Sequence, residues 1–237
     1  MVVQVSGARS LAGIAMLEGL DDAERRRLEE RCQWRRYTAG QTILERGGDC
    51  REVLFIVEGS VNIVNYSASG REIAYAALSA GECVGELAAI DGQPRSATVV
   101  ATEPTLLAIL PAERFLDLLK EQAEVTFRVL TRLASMVRNG DVRIMELSTL
   151  AATQRVYAEI LRMAKPDAAG TGLHVIHPLP PLREVASRVS TTRETVARAL
   201  SQLYPTGVIR RKGRSLYIMD RDKFAHMLAT MENEQRA

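Results

Sequence analysis

The sequence predicts an α+β chain in three segments, and three observations carry that expectation. Between about Gln33 and Leu110, short β-rich runs alternate with glycines about every ten residues. Farther on, Leu130, Val137, Ile144 and Ala151 recur every seven residues and interleave with Leu133, Gly140 and Leu147. Near the C-terminus, two short helical stretches flank Val189-Ser190-Thr191-Thr192. Many short strands at regular spacing read as a small barrel or sandwich. A seam of apolar residues at alternating spacings of three and four reads as a helix that pairs with a copy of itself.

Taken in order, residues 10–31 are helical, with Asp21-Asp22 as cap and first turn. Strands follow at Thr42–Leu44, Val53–Val57, Val61–Val64, Ile73–Leu78, Thr98–Val100 and Leu106–Leu110. Pro111 suits a helix start, and helix formers run on to about Lys165. Gly140 breaks the local rule, since a glycine inside a helix costs about 1 kcal/mol against alanine. Such an exception marks a candidate functional position. Asp167–Pro181 reads as turns around a strand at Leu173–Ile176. The helices Leu182–Arg188 and Arg193–Leu203, a hairpin over Ile209–Met219 and a helix over 222–231 complete the chain.

The 237 residues suffice for one large or two small domains. With 46% hydrophobic and 25% charged residues, composition excludes a disordered, collagenous or disulfide-built chain. No apolar run is long enough to span a bilayer. Residues 1–10 show no signal-peptide core, so a cytoplasmic protein without membrane contact is expected. Residues 1–150 carry 17 Lys/Arg against 21 Asp/Glu, whereas 151–237 carry 14 against 8. A basic C-terminal third on an acidic remainder points to a second domain that meets a polyanion. Cys32, Cys50 and Cys83 form no CxxC pair, and His174, His177 and His226 have no nearby cysteine, so no metal site is expected. No nucleophile–base set or Walker loop is present, which argues against an enzyme.

Gly81-Glu-Cys-Val-Gly-Glu86-Leu-Ala88 and Pro94-Arg95-Ser96-Ala97-Thr98 hold a backbone-exposing glycine, a carboxylate, an arginine and a hydroxyl. A guanidinium and a hydroxyl suit a phosphate, and a carboxylate accepts from a sugar hydroxyl. An Arg–Glu pair in a surface turn would use the same residues. GELA followed by PRSAT resembles the phosphate-binding cassette of cyclic-nucleotide-binding domains, and Gly59 matches the glycine that precedes it in their β-roll. The resemblance implies that Glu86 holds the ribose 2′-OH. It also implies that Arg95 meets the cyclic phosphate, with Ser96 and the backbone of Val84, Gly85, Glu86 and Leu87 beside it.

Val185, Ala186, Val189, Val196, Leu200 and Leu203 can face one core, with Thr192 capping the second helix. Arg193, Glu194 and Arg198 are then left outward, where arginine reads guanine and glutamate reads cytosine. Thr192-Arg-Glu-Thr-Val-Ala-Arg198 resembles the recognition helix of the CRP/FNR regulators. The segment order matches that family as well. The implied domains are a cyclic-nucleotide-binding β-roll with its N-terminal helix (1–115), a dimerisation helix and hinge (116–152), and a winged helix-turn-helix (153–237). Implied partners are a second copy of the chain, double-stranded DNA with a palindromic TGTGA-like site, and RNA polymerase. Arg211 and Lys212, within Arg210–Arg214, would be the wing. Ser190 departs from the family, whose turn usually has glycine.

The cysteines of an iron–sulfur branch are missing, and residues 1–150 hold no histidine for haem. A cyclic nucleotide is therefore the expected effector, with no metal, haem or cluster. The Thr-Ser pair with which cAMP-responsive relatives contact adenine falls, by counting back from Gln154, on Gly140-Asp141. A carboxylate accepts from adenine N6, and better from the adjacent N1–H and N2–H2 of guanine. Both cAMP and cGMP stay open at this point. So does a regulator of the same fold that acts without nucleotide or with another effector.

Overall fold

The computed structural model describes residues 9–67, 70, 72–168 and 170–234; of the stretch read for targeting, residues 1–8 lie outside these. The chain divides into two compact units that part between Val137 and Arg138.

The first unit opens with a turn of 3-10 helix and with α1 (Asp22–Glu30), which Asp21 and Glu24 close with a reciprocal capping box. Eight strands follow: β1 (Gln33–Tyr37), β2 (Thr42–Leu44), β3 (Val53–Glu58), β4 (Ser60–Tyr66), β5 (Glu72–Ser79), β6 (Cys83–Val84), β7 (Thr98–Ala101) and β8 (Thr105–Leu110). A six-residue helix α2 (Glu86–Asp91) separates β6 from β7. The strands form two antiparallel sheets, β1-β8-β3-β6 and β2-β7-β4-β5. β3 and β8 are apolar without alternation because both their faces are covered. Leu54, Ile56, Leu107 and Ile109 fill one core, together with Val61 and Val99 of the second sheet. Val53, Phe55, Ala108 and Leu110 turn the other way and meet Leu11, Leu28, Phe115 and Val125.

Helix formers run unbroken past Pro111, yet the structure divides them into α3 (Ala112–Glu121), α4 (Ala123–Thr149) and α5 (Ala152–Met163). Gln122 and Ala151 are extended at the two breaks. The second break lies at the expected hinge, where the Gln154 side chain accepts from the Ala151 N–H at 2.6 Å. It corrects the seam: Ala151 stands outside α4. Leu133 also departs from it, being half-buried against the core of its own unit. The remaining seam positions Leu130, Val137, Ile144 and Leu147 are 45–66% exposed in the single chain. Gly140 sits in unbroken helix, and a Cβ there would meet nothing within 4 Å.

In the second unit, β9 (Lys165–Pro166), β10 (His174–Ile176), β11 (Ile209–Lys212) and β12 (Ser215–Ile218) form a sheet of order β11-β12-β10-β9. Helices α6 (Leu182–Arg188), α7 (Arg193–Leu203) and α8 (Arg221–Glu234) complete it. All six apolar residues expected between α6 and α7 are buried in one core with Val156, Ile160 and Phe224. Among the described residues, no helix is long and apolar enough to cross a membrane.

Candidate nucleotide and nucleic-acid sites

β6 delivers the chain to Gly85, whose φ of +91° turns it into α2. A side chain there would be strained in this left-handed conformation. It would also collide, because a Cβ would stand 2.5 Å from Arg95 Nη1 and 2.7 Å from the Glu52 carbonyl. The glycine is thus the space into which Arg95 fits. Gly59 is held as tightly, since a Cβ on it would lie 2.5 Å from the Pro104 carbonyl.

The Arg95 side chain is 2% exposed. Nη1 donates to the Gly85 carbonyl at 2.9 Å, Nη2 to the Glu52 carbonyl at 2.7 Å, and Nε to Cys50 Sγ at 3.4 Å. The Glu52 carboxylate lies 3.6 Å from Nη2. Main-chain bonds pin the same residue: the Gly47 N–H donates to its carbonyl at 2.8 Å, and its own N–H to the Gly48 carbonyl at 2.9 Å. A buried cation is tolerable only with such partners. The guanidinium has five N–H donors, so anion-binding capacity remains.

Glu86, the first residue of α2, is buried, and its Oε1 accepts from Arg132 Nε of α4 at 3.0 Å. Arg132 Nη2 donates to the Cys83 carbonyl at 2.8 Å. Ser96 is exposed, and its carbonyl accepts from the buried Asn65 amide at 3.3 Å. Val84 is buried and Leu87 half-buried. The structure therefore brings Val84, Gly85, Glu86, Leu87, Arg95 and Ser96 together. Gly140 and Asp141 are exposed residues of α4 in the second unit. A cavity of about 630 Å³ lies between the Gly81–Cys83 turn and α4, and its lining includes Arg132 but neither Glu86 nor Arg95. All three cysteines are free thiols. Burial, with the Glu29 charge adding to it, pushes the Cys32 pKa up to about 12. Burial also raises Cys83.

In the second unit, Thr192 caps α7 by accepting from the Thr195 N–H at 3.2 Å. Thr192, Arg193, Glu194 and Arg198 are all exposed. Bonding to its own backbone N–H, then to the Thr192 hydroxyl, lowers the Glu194 pKa. The hairpin β11–β12 projects Arg210, Arg211, Lys212 and Arg214 into solvent. Among the described residues, no ion pair involves Arg193, Arg198 or the hairpin cations, whereas Arg162 and Arg188 of the same unit are paired with glutamates. Ser190 adopts the glycine-like turn at φ +53°, the one positive φ outside glycine among the described residues. Arg155 Nε donates to the Val189 carbonyl at 3.0 Å, and Arg143 Nη2 to the Ser190 hydroxyl at 3.3 Å.

Residues 34–122 match the cyclic nucleotide-binding domain, and residues 154–227 match the Crp-like helix-turn-helix domain. The cyclic AMP receptor protein of Thermus thermophilus is 31% identical over 75% of this chain and 80% of its own length. The chain belongs to the CRP/FNR family. Its members are transcription regulators and not enzymes, and this one is a cyclic-nucleotide-binding, DNA-binding regulator. The cAMP-activated global regulator Vfr of Pseudomonas aeruginosa is 29% identical over 79% of this chain and 89% of that one. A mutant of CooA from Carboxydothermus hydrogenoformans shares the fold, with a TM-score of 0.78 at 16% identity over 96% of this chain and 98% of that one.

Sequence reasoning missed Arg132, Asn65, Cys50 and Glu52, which contact Glu86, Ser96 and Arg95. Two of the contacts to Arg95 come from main-chain carbonyls, which leave no mark in a sequence. Arg132 is one arginine among several on an amphipathic helix, with no local pattern to set it apart.

Proposed function

We propose that this regulator is a homodimer that binds a palindromic TGTGA-like site when a purine cyclic nucleotide occupies its cassette. The observation that carries the reading is the buried Arg95 guanidinium seated on the Gly85 carbonyl, one residue before the buried Glu86. A phosphate takes the remaining N–H donors of Arg95 and the Ser96 hydroxyl, and a ribose hydroxyl donates to Glu86. The exposed apolar stripe of α4 supports pairing with a second copy, as its 3-4 spacing does. Two copies of α7 about 34 Å apart would then enter successive major grooves. There Arg193, Glu194 and Arg198 read base edges, while Arg211 and Lys212 meet phosphates. The nucleotide acts by favouring one arrangement of the dimer helices, with a coupling of about 1–3 kcal/mol. RNA polymerase is the partner of the DNA-bound form.

The names of Vfr and of the Thermus receptor favour cAMP as the effector. Asp141, exposed where those relatives' adenine contact falls by count, favours cGMP. Calorimetric titration with each nucleotide decides. Tight cGMP and weak cAMP binding makes Asp141 the guanine reader, and the reverse assigns cAMP. Arg95→Leu should abolish either response; unchanged affinity in that variant would remove the site assignment. One observation favours a regulator that works without nucleotide: Arg95 and Glu86 already have protein partners. Equal DNA binding with and without both nucleotides would establish that reading.

A further inference from the structure

The end of β4 carries a polar side chain into a buried place. Asn65 is 4% exposed, and its Nδ2 donates to the Ser96 carbonyl at 3.3 Å and to the Tyr75 hydroxyl at 3.1 Å. A carbonyl only accepts, so the amide must turn its NH2 toward Ser96 and its Oδ1 away. Oδ1 is sealed from solvent and has no hydrogen-bond partner. An unmet acceptor of this kind opposes folding, and an apolar side chain of similar size would not carry it. Its presence calls for a reason other than stability.

The surrounding strands supply one. β4 pairs with β7 only as far as Val64 opposite Thr98. Ser96 lies beyond the end of that ladder, exposed, on the segment that carries Arg95. Main-chain bonds to Gly47 and Gly48 hold Arg95 itself. At Ser96 the bond comes from Asn65, which extends the grip of β4 past the last ladder pair. Tyr75 fixes the amide in turn. β5 shifts register there, with Ala74 opposite Val64 and Ala76 opposite Ile63, so Tyr75 is the residue left over. A bulge of this kind re-aims a side chain, and here the phenol meets Nδ2. Among the described residues the Ser96 hydroxyl has no protein partner.

We propose that Asn65 is a positioning residue for the phosphate, clamping the Ser96 main chain so that the Ser96 hydroxyl is aimed before the nucleotide arrives. The proposal rests on the cassette reading above and adds to it the residue that orients the serine. Asn65 acts through Ser96, so its worth to the ligand should vanish once the Ser96 hydroxyl is gone. A role limited to packing β4 against β5 would be felt with or without that hydroxyl.

The test is a double-mutant cycle in nucleotide affinity. Wild type, Asn65→Leu, Ser96→Ala and the double variant are titrated with cAMP and with cGMP, and the nucleotide that wild type binds more tightly is read. Ser96→Ala should weaken it about tenfold or more, the worth of a hydrogen bond to a charged group. Asn65→Leu should weaken it about fivefold in the wild-type background and less than about twofold beside Ser96→Ala. Leucine removes the orphaned oxygen at similar volume; Asn65→Ala reads the same cycle if the leucine variant folds poorly. Equal losses in both backgrounds, or no loss in either, would overturn the role of Asn65 while leaving the cassette reading intact. Ser96→Ala binding as tightly as wild type would overturn it too, with Arg95 left to hold the phosphate. Absence of any binding by the wild type would overturn the cassette reading, and the role of Asn65 with it.

Discussion

Replacing Gly85 by alanine tests the geometry of the cassette through a single carbon atom. The residue sits at φ +91°, where an L-residue pays about 1–2 kcal/mol in backbone strain. The added Cβ would lie 2.5 Å from Arg95 Nη1 and 2.7 Å from the Glu52 carbonyl, distances that real Cβ atoms do not occupy. Arg95 must therefore withdraw from the Gly85 and Glu52 carbonyls, now held at 2.9 and 2.7 Å. Losing one of these charge-assisted bonds while the other re-forms adds about 1.5–3 kcal/mol. The expected cost is about 2.5–5 kcal/mol, a large share of the 5–15 kcal/mol typical of a domain. Urea denaturation of the full chain measures it, and nucleotide affinity should fall at least tenfold because Arg95 has moved. In an Arg95→Met background the cost of Gly85→Ala should shrink by about 1.5 kcal/mol or more, since the arginine contact is gone. A cost under about 1 kcal/mol, or one unchanged in that background, would refute the packing of Arg95 against Gly85.

Three further outcomes are expected. Ser190→Val should lower stability by about 1–2 kcal/mol relative to Ser190→Gly in urea denaturation, because φ +53° excludes a β-branched side chain and suits glycine. Val137→Asp changes a residue 64% exposed in the single chain, so sedimentation should show the dimer halved in mass while the far-ultraviolet spectrum is kept; an unchanged mass would remove the α4 seam. The folded-state pKa of Glu194 lies below its ordinary 4.5, so its stabilisation is present above that value and lost as pH falls through the folded one. Glu194→Gln should therefore lower the urea midpoint at pH 7, by a difference that shrinks as pH falls below 4.5, and a difference independent of pH would contradict the cap interaction.

The legible parts of the fold are those with strong local punctuation. α6 and α7 run over the expected residues because Pro181 and Thr192 mark their starts and Ser190 their turn. β1 escaped the strand reading because Gln33-Trp-Arg-Arg-Tyr37 exposes much of its surface and shows no apolar alternation. α2 is too short to carry a periodic signal, and the break at Gln122 falls among good helix formers, so propensity does not mark it. Gly140 lies in regular helix, as its place in the seven-residue seam requires. At the site, Glu86 and Arg95 were legible through their motif. Arg132 was not, because what distinguishes it is a partner forty-six residues away in sequence.

In the proposed homodimer, the exposed stripe on α4 would tie folding to abundance. If a second copy covers that apolar surface, as proposed, its free energy enters in a bimolecular step, so each tenfold rise in concentration above the dissociation constant adds about 1.4 kcal/mol per dimer. Melting temperature should then climb with protein concentration. A cell that makes little of this protein would hold it both less associated and less durable, and its activity would rise more steeply than its copy number.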